Sequence, residues 1–133
     1  MNIEAFLDGS PFAVVGASTN RQKYGNKVLR CYMQNGRRVH PINPRAEQIE
    51  GLVCYPSLTA LAQHTSIHGV SVITPPQITE EIVEEAGRLG IRHLWMQPGA
   101  ESDAAIARAA ELGINAIHGG PCLLVELGYN DFE

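Results

Sequence analysis

GVSVITPPQITEEIVEEAGRLGIRHLWMQPG, residues 69–99, reads as strand, helix, strand. GVSVITPP (69–76) is a short apolar run closed by two prolines, too brief for a helix and bounded as a buried strand is. A helix follows over roughly Thr79 to Leu89, with Ile78, Ile82, Ala86 and Leu89 at helical spacing. Gly90 stops it as a left-handed cap, and RHLWMQPG (92–99) is a second strand. Two strands joined through a helix of ten or so residues pair in parallel by a right-handed crossover.

The same alternation extends in both directions. FAVVGA (12–17) reads as a buried strand, and a helix from about Tyr24 to Asn35 carries Val28, Leu29, Tyr32 and Met33 on its inner face. Gly36 ends that helix and RRVHPINP (37–44) reads as the second strand. LVCYP (52–56) is a minor strand leading through Ser57 into a helix with Leu58, Leu61 and Ala62. Downstream, Ser102 caps a helix that runs through Leu112 and ends at Gly113. NAIHGG (115–120) is the last strand, with a short helix after Pro121. The expected fold is α/β and of Rossmann type: a doubly wound, five-stranded, mostly parallel sheet with helices on both faces, one domain over residues 1–133.

The 133 residues suit one core, with 44% apolar and 18% charged side chains. A net charge of -4 speaks against nucleic acid or an anionic membrane as partner. Seven of the ten cationic residues nevertheless fall in the first third: Arg21, Lys23, Lys27, Arg30, Arg37, Arg38 and Arg45. That excess fits one anionic ligand or a solvated basic face. Cys31, Cys54 and Cys122 show neither a disulfide framework nor zinc spacing. No secretory signal and no membrane-length apolar stretch occur, which implies a cytoplasmic protein; oligomeric state is not fixed by the sequence, and a homodimer is one arrangement open to it.

Ligands of open parallel sheets sit beyond the carboxyl ends of the strands. Those ends here are GASTNRQK, PINPR, TPPQ, MQPGAE and HGGPC. The first is neither a dinucleotide fingerprint nor a P-loop, since Gly16 is followed by eight residues before Gly25 and no Walker lysine is in place. Its hydroxyls, amide and cations suit a diphosphate, although an ordinary loop that caps its helix would use the same residues. After the second strand an NAD site has an acid for the ribose hydroxyls. This chain has Asn43, Pro44 and Arg45, which favours a phosphorylated ribose, as in NADP or coenzyme A, or is an exposed turn.

VVGAS (14–18) with K.G..V (23–28), V.PINP (39–44), G…YPSL (51–58), VITPP (72–76), WMQPGA (95–100) and GGPC (119–122) occur in register. Together they resemble the small stand-alone CoA-binding proteins, which are similar to the CoA-binding domain of the succinyl-CoA synthetase α subunit and of ADP-forming acyl-CoA synthetases. The resemblance covers Phe12 to about Glu126 and implies coenzyme A, or an acyl-CoA, across the crevice. It implies that Gly16, Ala17, Ser18, Lys23 and Gly25 meet the phosphates. Asn43 and Arg45 then lie near the adenosine, where the family more often has lysine after Asn-Pro. Thr74, Pro75 and Pro76 flank the ligand, and Met96, Gln97 and Gly99 match the family's strand-end signature. The larger synthetases carry a second domain with a phosphorylated histidine, for which this chain has no room.

Other chemistry-bearing residues give no catalytic set. His40, His64, His68, His93 and His118 lack metal spacing and read as structural. Glu80, Glu81, Glu84 and Glu85 read as dipole-complementing acids in the first turns and on the outer face of their helix. Trp95 reads as core. Cys122 reads either as a small buried hydrophobe or as a thiol activated at a helix start on the ligand edge. The sequence therefore points to a CoA-binding module without evident catalytic residues. An NADP-binding oxidoreductase-type domain, or a subunit that completes an acyl-CoA synthetase with a separate partner, are the alternatives.

Overall fold

The computed structural model describes residues 1–132. Five strands form one sheet: β1 (Phe12–Val15), β2 (Val39–Ile42), β5 (Gly69–Val72), β6 (His93–Met96) and β7 (Asn115–Ile117). They lie in the order β2-β1-β5-β6-β7, and every pairing is parallel. Helices α1 (Ile3–Leu7), α2 (Tyr24–Gln34), α3 (Leu58–Ala62), α4 (Pro76–Arg88) and α5 (Asp103–Glu111) cover the two faces, as the doubly wound reading requires. Counted within this sheet the order is 2-1-3-4-5, so winding reverses between β1 and β5. Crossovers leave those neighbours toward opposite faces, which opens a crevice at their carboxyl ends.

Strand alternation explains both cores. Ala13 and Val15 of β1 point toward α3, α4 and α5, among Leu58, Leu61, Val83, Ala86 and Ala105. Phe12 and Val14 point the other way, among Phe6, Val28, Leu29, Tyr32 and Trp95. Tyr32 is fully buried on that face and its hydroxyl pairs with Ser71 Oγ of β5 at 2.7 Å, which satisfies both polar groups. Trp95 is core, and its Nε1 donates to Pro121 O at 2.9 Å.

Several expectations are corrected. The strands stop short of their quoted ends, because the Pro44, Pro75 and Pro98 segments leave the ladder to form the crevice rim. Helix α4 begins at Pro76 rather than near Thr79, since proline at the first helical position has its φ already set. Glu80 and the three acids after it therefore lie beyond the first turn, and all but Glu81 bind neighbouring elements instead of the dipole. Glu80 accepts from Ser102 Oγ, Glu84 pairs with Arg108, and Glu85 accepts from Thr59 N and Oγ1. The face of α4 turned inward is Thr79, Val83 and Ala86, while Ile78 is 42% exposed at the crevice. Met33 of α2 is also exposed.

Two elements had no sequence reading. Helix α1, capped by Asn2, packs Phe6 against Phe12 and Trp95. Residues 48–53 form a hairpin, β3 (Gln48–Ile49) with β4 (Leu52–Val53), where only a minor strand over 52–56 is expected. After Pro121 the chain makes one π-helical turn, Leu124–Gly128, rather than an ordinary short helix.

Candidate functional site

The loop after β1 is built on two glycines where a side chain would clash with backbone. Gly16 has φ +93, and a Cβ there would stand 1.9 Å from Ile73 O of the neighbouring strand end. A Cβ on Gly25 would stand 2.0 Å from Gly16 O, so the first turn of α2 rests directly on the loop backbone. Helices α1, α3 and α5 have side-chain caps from Asn2, Ser57 and Ser102. Helices α2 and α4, which start at the crevice, have none, their cap positions being Lys23 and Pro75. Asn26 N bonds back to Lys23 O and Ile78 N to Pro75 O, while Pro76 has no N–H, so the positive end of α2 offers more backbone donors than that of α4.

Two adjoining hollows result. One is lined by Gly16, Ala17, Ser18, Lys23, Gly25 and Asn43, together with Tyr24 and Ile73. The other, about 250 Å3 and mostly apolar, is bounded by Ile42, Pro44, Leu58, Thr74, Ile78 and Ile82. They share Gly16 and Asn43. Asn43 links them mechanically: its Nδ2 donates to Ala17 O at 2.9 Å and its Oδ1 accepts from Arg45 N at 2.8 Å. Lys23 and Arg45 are exposed at this rim.

The other expected residues separate. Thr74 lines the apolar hollow, and its Oγ1 pairs with Thr79 Oγ1 at 2.7 Å. Pro75 and Pro76 form the turn into α4. Met96 lies wholly within the core and supports the edge from beneath. Gly99, at φ +92, is in the exposed turn beyond it.

Gln97 is fully buried, and its Oε1 accepts from Tyr24 Oη and from Leu123 N, each at 3.1 Å. Its Nε2 is buried without a hydrogen-bond partner among the described residues. The Tyr24 hydroxyl also meets Cys122 Sγ. Since the phenol's one proton goes to Gln97, the thiol donates to the phenol oxygen. Burial, and then the bond to Cys122, push the Tyr24 hydroxyl well above its ordinary value, so it remains a donor. Cys122 is half-buried beside this end of the crevice, while Cys31 and Cys54 are buried.

The histidines are structural or peripheral. His68 Nε2 donates to Phe6 O at 2.9 Å, and His93 Nδ1 accepts from Asn115 at 3.0 Å. These lie at the amino ends of β5 and β6, the opposite end of the sheet from the crevice. Among the described residues no group of three or more His, Cys, Asp or Glu could hold a metal.

Reading by motif missed Tyr24, Ile73, Ile78 and Ile82. The first lies inside the quoted K.G..V pattern as a wildcard. Ile73 lies inside the quoted VITPP, and Ile78 and Ile82 read as core because burial at a rim depends on which helix stands opposite. It also counted Arg30 and Arg37 among cations for a ligand. Arg30 is only 5% exposed and bonded internally, and Arg37 donates to Leu7 O.

Known proteins share this architecture. A conserved hypothetical protein of Pyrococcus furiosus is 36% identical, with a TM-score of 0.81, over 86% of this chain and 97% of its own. The dinucleotide-forming acetyl-coenzyme A synthetase 1 of Candidatus Korarchaeum cryptofilum, solved with phosphate and ADP, is 25% identical with a TM-score of 0.76. The match covers 88% of this chain and 27% of the synthetase. ADP-forming acetate–CoA ligase I of Archaeoglobus fulgidus is 30% identical over 76 residues, 57% of this chain but 11% of the ligase. The chain thus spans about a tenth of that ligase's length and 27% of the synthetase's, and no helix among its described residues is long and apolar enough to cross a membrane. The model of the CoA binding domain matches residues 10–128, nearly the whole chain, and this protein belongs to that family.

Proposed function

We propose that the protein is a binding module for coenzyme A or an acyl-CoA, held across the carboxyl ends of β1, β2, β5 and β6. One observation carries this: a hollow with Lys23 and an uncapped helix start shares Gly16 and Asn43 with an apolar hollow. A ligand with a diphosphate joined through a ribose to a flat aromatic base spans both. Gly16, Ala17, Ser18, Lys23 and Gly25 take the diphosphate, and Ile42, Pro44, Ile78 and Ile82 enclose the adenine. Arg45 faces the 3′-phosphate. Thr74, Pro75 and Pro76 flank the ligand, with the Gln97–Gly99 turn beside the pantetheine arm. The unpaired Nε2 of Gln97 is a donor suited to an amide of that arm.

NADP shares the adenosine, diphosphate and extra phosphate, so calorimetric titration of CoA, dephospho-CoA and NADP decides. CoA binds tighter than dephospho-CoA by about 1–3 kcal/mol for one charge-assisted contact, and Arg45→Ala erases most of that difference. Tight NADP binding with negligible CoA binding overturns the proposal. Equal binding of CoA and dephospho-CoA removes Arg45 alone from the site.

A second reading, a subunit that completes a synthetase, has one supporting observation. ADP-forming acetate–CoA ligase II subunit alpha of Pyrococcus furiosus is 24% identical over 91 residues. Co-purification of a stoichiometric larger chain with the native protein supports it, and a lone monomer or homodimer counts against it.

A further inference from the structure

Four carbonyl groups of the loop are held by hydrogen bonds. Ala17 O accepts from Asn43, and Ser18 O accepts from Asn26 Nδ2 at 2.9 Å. Asn20 O accepts from Lys23 N, and Arg21 O accepts from the Arg30 guanidinium at 3.0 Å. Asn26 is fully buried and Arg30 nearly so, and they bond each other, Arg30 Nε to Asn26 Oδ1 at 2.7 Å. Glu50 completes the lattice from the β3–β4 turn. It accepts from Asn26 Nδ2 at 3.0 Å and pairs with Arg21 at 3.4 Å. It does so from φ +51, an uncommon conformation for a residue with a side chain.

We infer that Arg30, acting through Asn26, is a positioning residue for the anion loop, and this rests on the CoA reading. Fixing Ser18 O and Arg21 O holds the loop backbone in one conformation beside the hollow that Gly16, Ala17 and Ser18 line, so the loop need not be ordered when a diphosphate binds. The planar fork of Arg30 reaches Asn26 and Arg21 O together, which an ammonium on a flexible stem does not. Its outer side is closed by the Tyr129 ring, 5.4 Å from the guanidinium carbon, and by Asp131 at 3.7 Å. Arg30 is therefore committed to the loop and the C-terminal segment rather than to the ligand.

The test titrates CoA into the wild type, Arg30→Met and Arg30→Lys, and follows amide hydrogen exchange of Asn20, Gln22 and Lys23 without ligand. Those amides bond within the loop, to Ser18 Oγ, Asn20 Oδ1 and Asn20 O. Both variants bind CoA about 10–100-fold more weakly, the loss expected for one charge-assisted contact, and their loop amides exchange about tenfold faster. The amides of the central turns of α2 keep their protection.

Wild-type affinity in Arg30→Lys means that charge alone suffices and overturns the inference. So does weaker binding with unchanged loop exchange, or faster exchange throughout the protein. Unprotected loop amides in the wild type overturn it even where a variant fails to fold. If the wild type binds no CoA while the variants still loosen the loop, the CoA reading fails and the positioning role stands.

Discussion

Replacing Gly25 with alanine tests the contact on which the loop is built. The new Cβ would lie 2.0 Å from Gly16 O and 3.0 Å from Gly16 C. Ordinary contact begins near 3.4 Å. Both neighbours are backbone, so no side chain can rotate away, and the start of α2 must withdraw from the loop by more than about 1 Å. Overpacking of this kind costs about 1–3 kcal/mol, and the better helix propensity of alanine returns up to about 1 kcal/mol. A net loss of about 1–2 kcal/mol follows.

With 133 residues, an unfolding entropy of about 2.1 cal/mol/K per residue converts this to a Tm lowered by about 4–7 °C. CoA affinity should fall further, by about 10–100-fold, because displaced N–H groups no longer reach the diphosphate. Scanning calorimetry and titration calorimetry measure the two effects. Gly87→Ala is the matched control. Its Cβ meets Leu112 Cδ1 at 2.8 Å, a methyl that can turn aside, so Tm stays within about 2 °C and CoA binding is unchanged. A Gly25→Ala protein with wild-type Tm and wild-type affinity refutes the close-packing argument.

Tyr32→Phe leaves Ser71 Oγ buried without its partner and lowers stability by about 1–3 kcal/mol in chemical denaturation, with CoA binding unaffected; an unchanged midpoint counts against that bond. Burial and the neighbouring His68 hold His93 below the ordinary imidazole value, so on acidification the unfolded chain takes up its proton first. Stability is accordingly full above about pH 7 and falls as pH drops through the ordinary histidine range, and His93→Gln makes the fall in Tm from pH 8 to 5.5 smaller; a Tm that rises on acidification contradicts the sign. Burial pushes the Cys31 thiol up to about 12 and also raises Cys54, so oxidised CoA should exchange first with half-buried Cys122, releasing one CoA thiol, and adducts on Cys31 or Cys54 alone would show the accessibility argument wrong.

The sequence by itself determined the layer architecture. Apolar runs at 12–15, 69–72 and 93–96, alternating with helices closed by Gly36, Gly90 and Gly113, permit parallel strands and little else. Residues whose role is set by local backbone were therefore legible. The glycines of the loop after β1 are among them, since Gly16 sits at positive φ and Gly25 in the first turn of the helix that follows.

Only the tertiary structure decided which side chains meet across distant segments. Arg30 and Lys23 are both cations in the same stretch, yet one is buried behind the loop and the other exposed at the rim. The difference arises from Asn26, Glu50 and Asp131, brought together from a helix, a hairpin and the C-terminal segment. Ile78 and Ile82 likewise follow the helical period of core residues. They line the apolar hollow because α4 starts at Pro76, beside a crevice that exists only where the sheet reverses its winding. Periodicity records that a side chain is apolar and on one helical face; what stands opposite that face depends on strand order, a property of the whole chain.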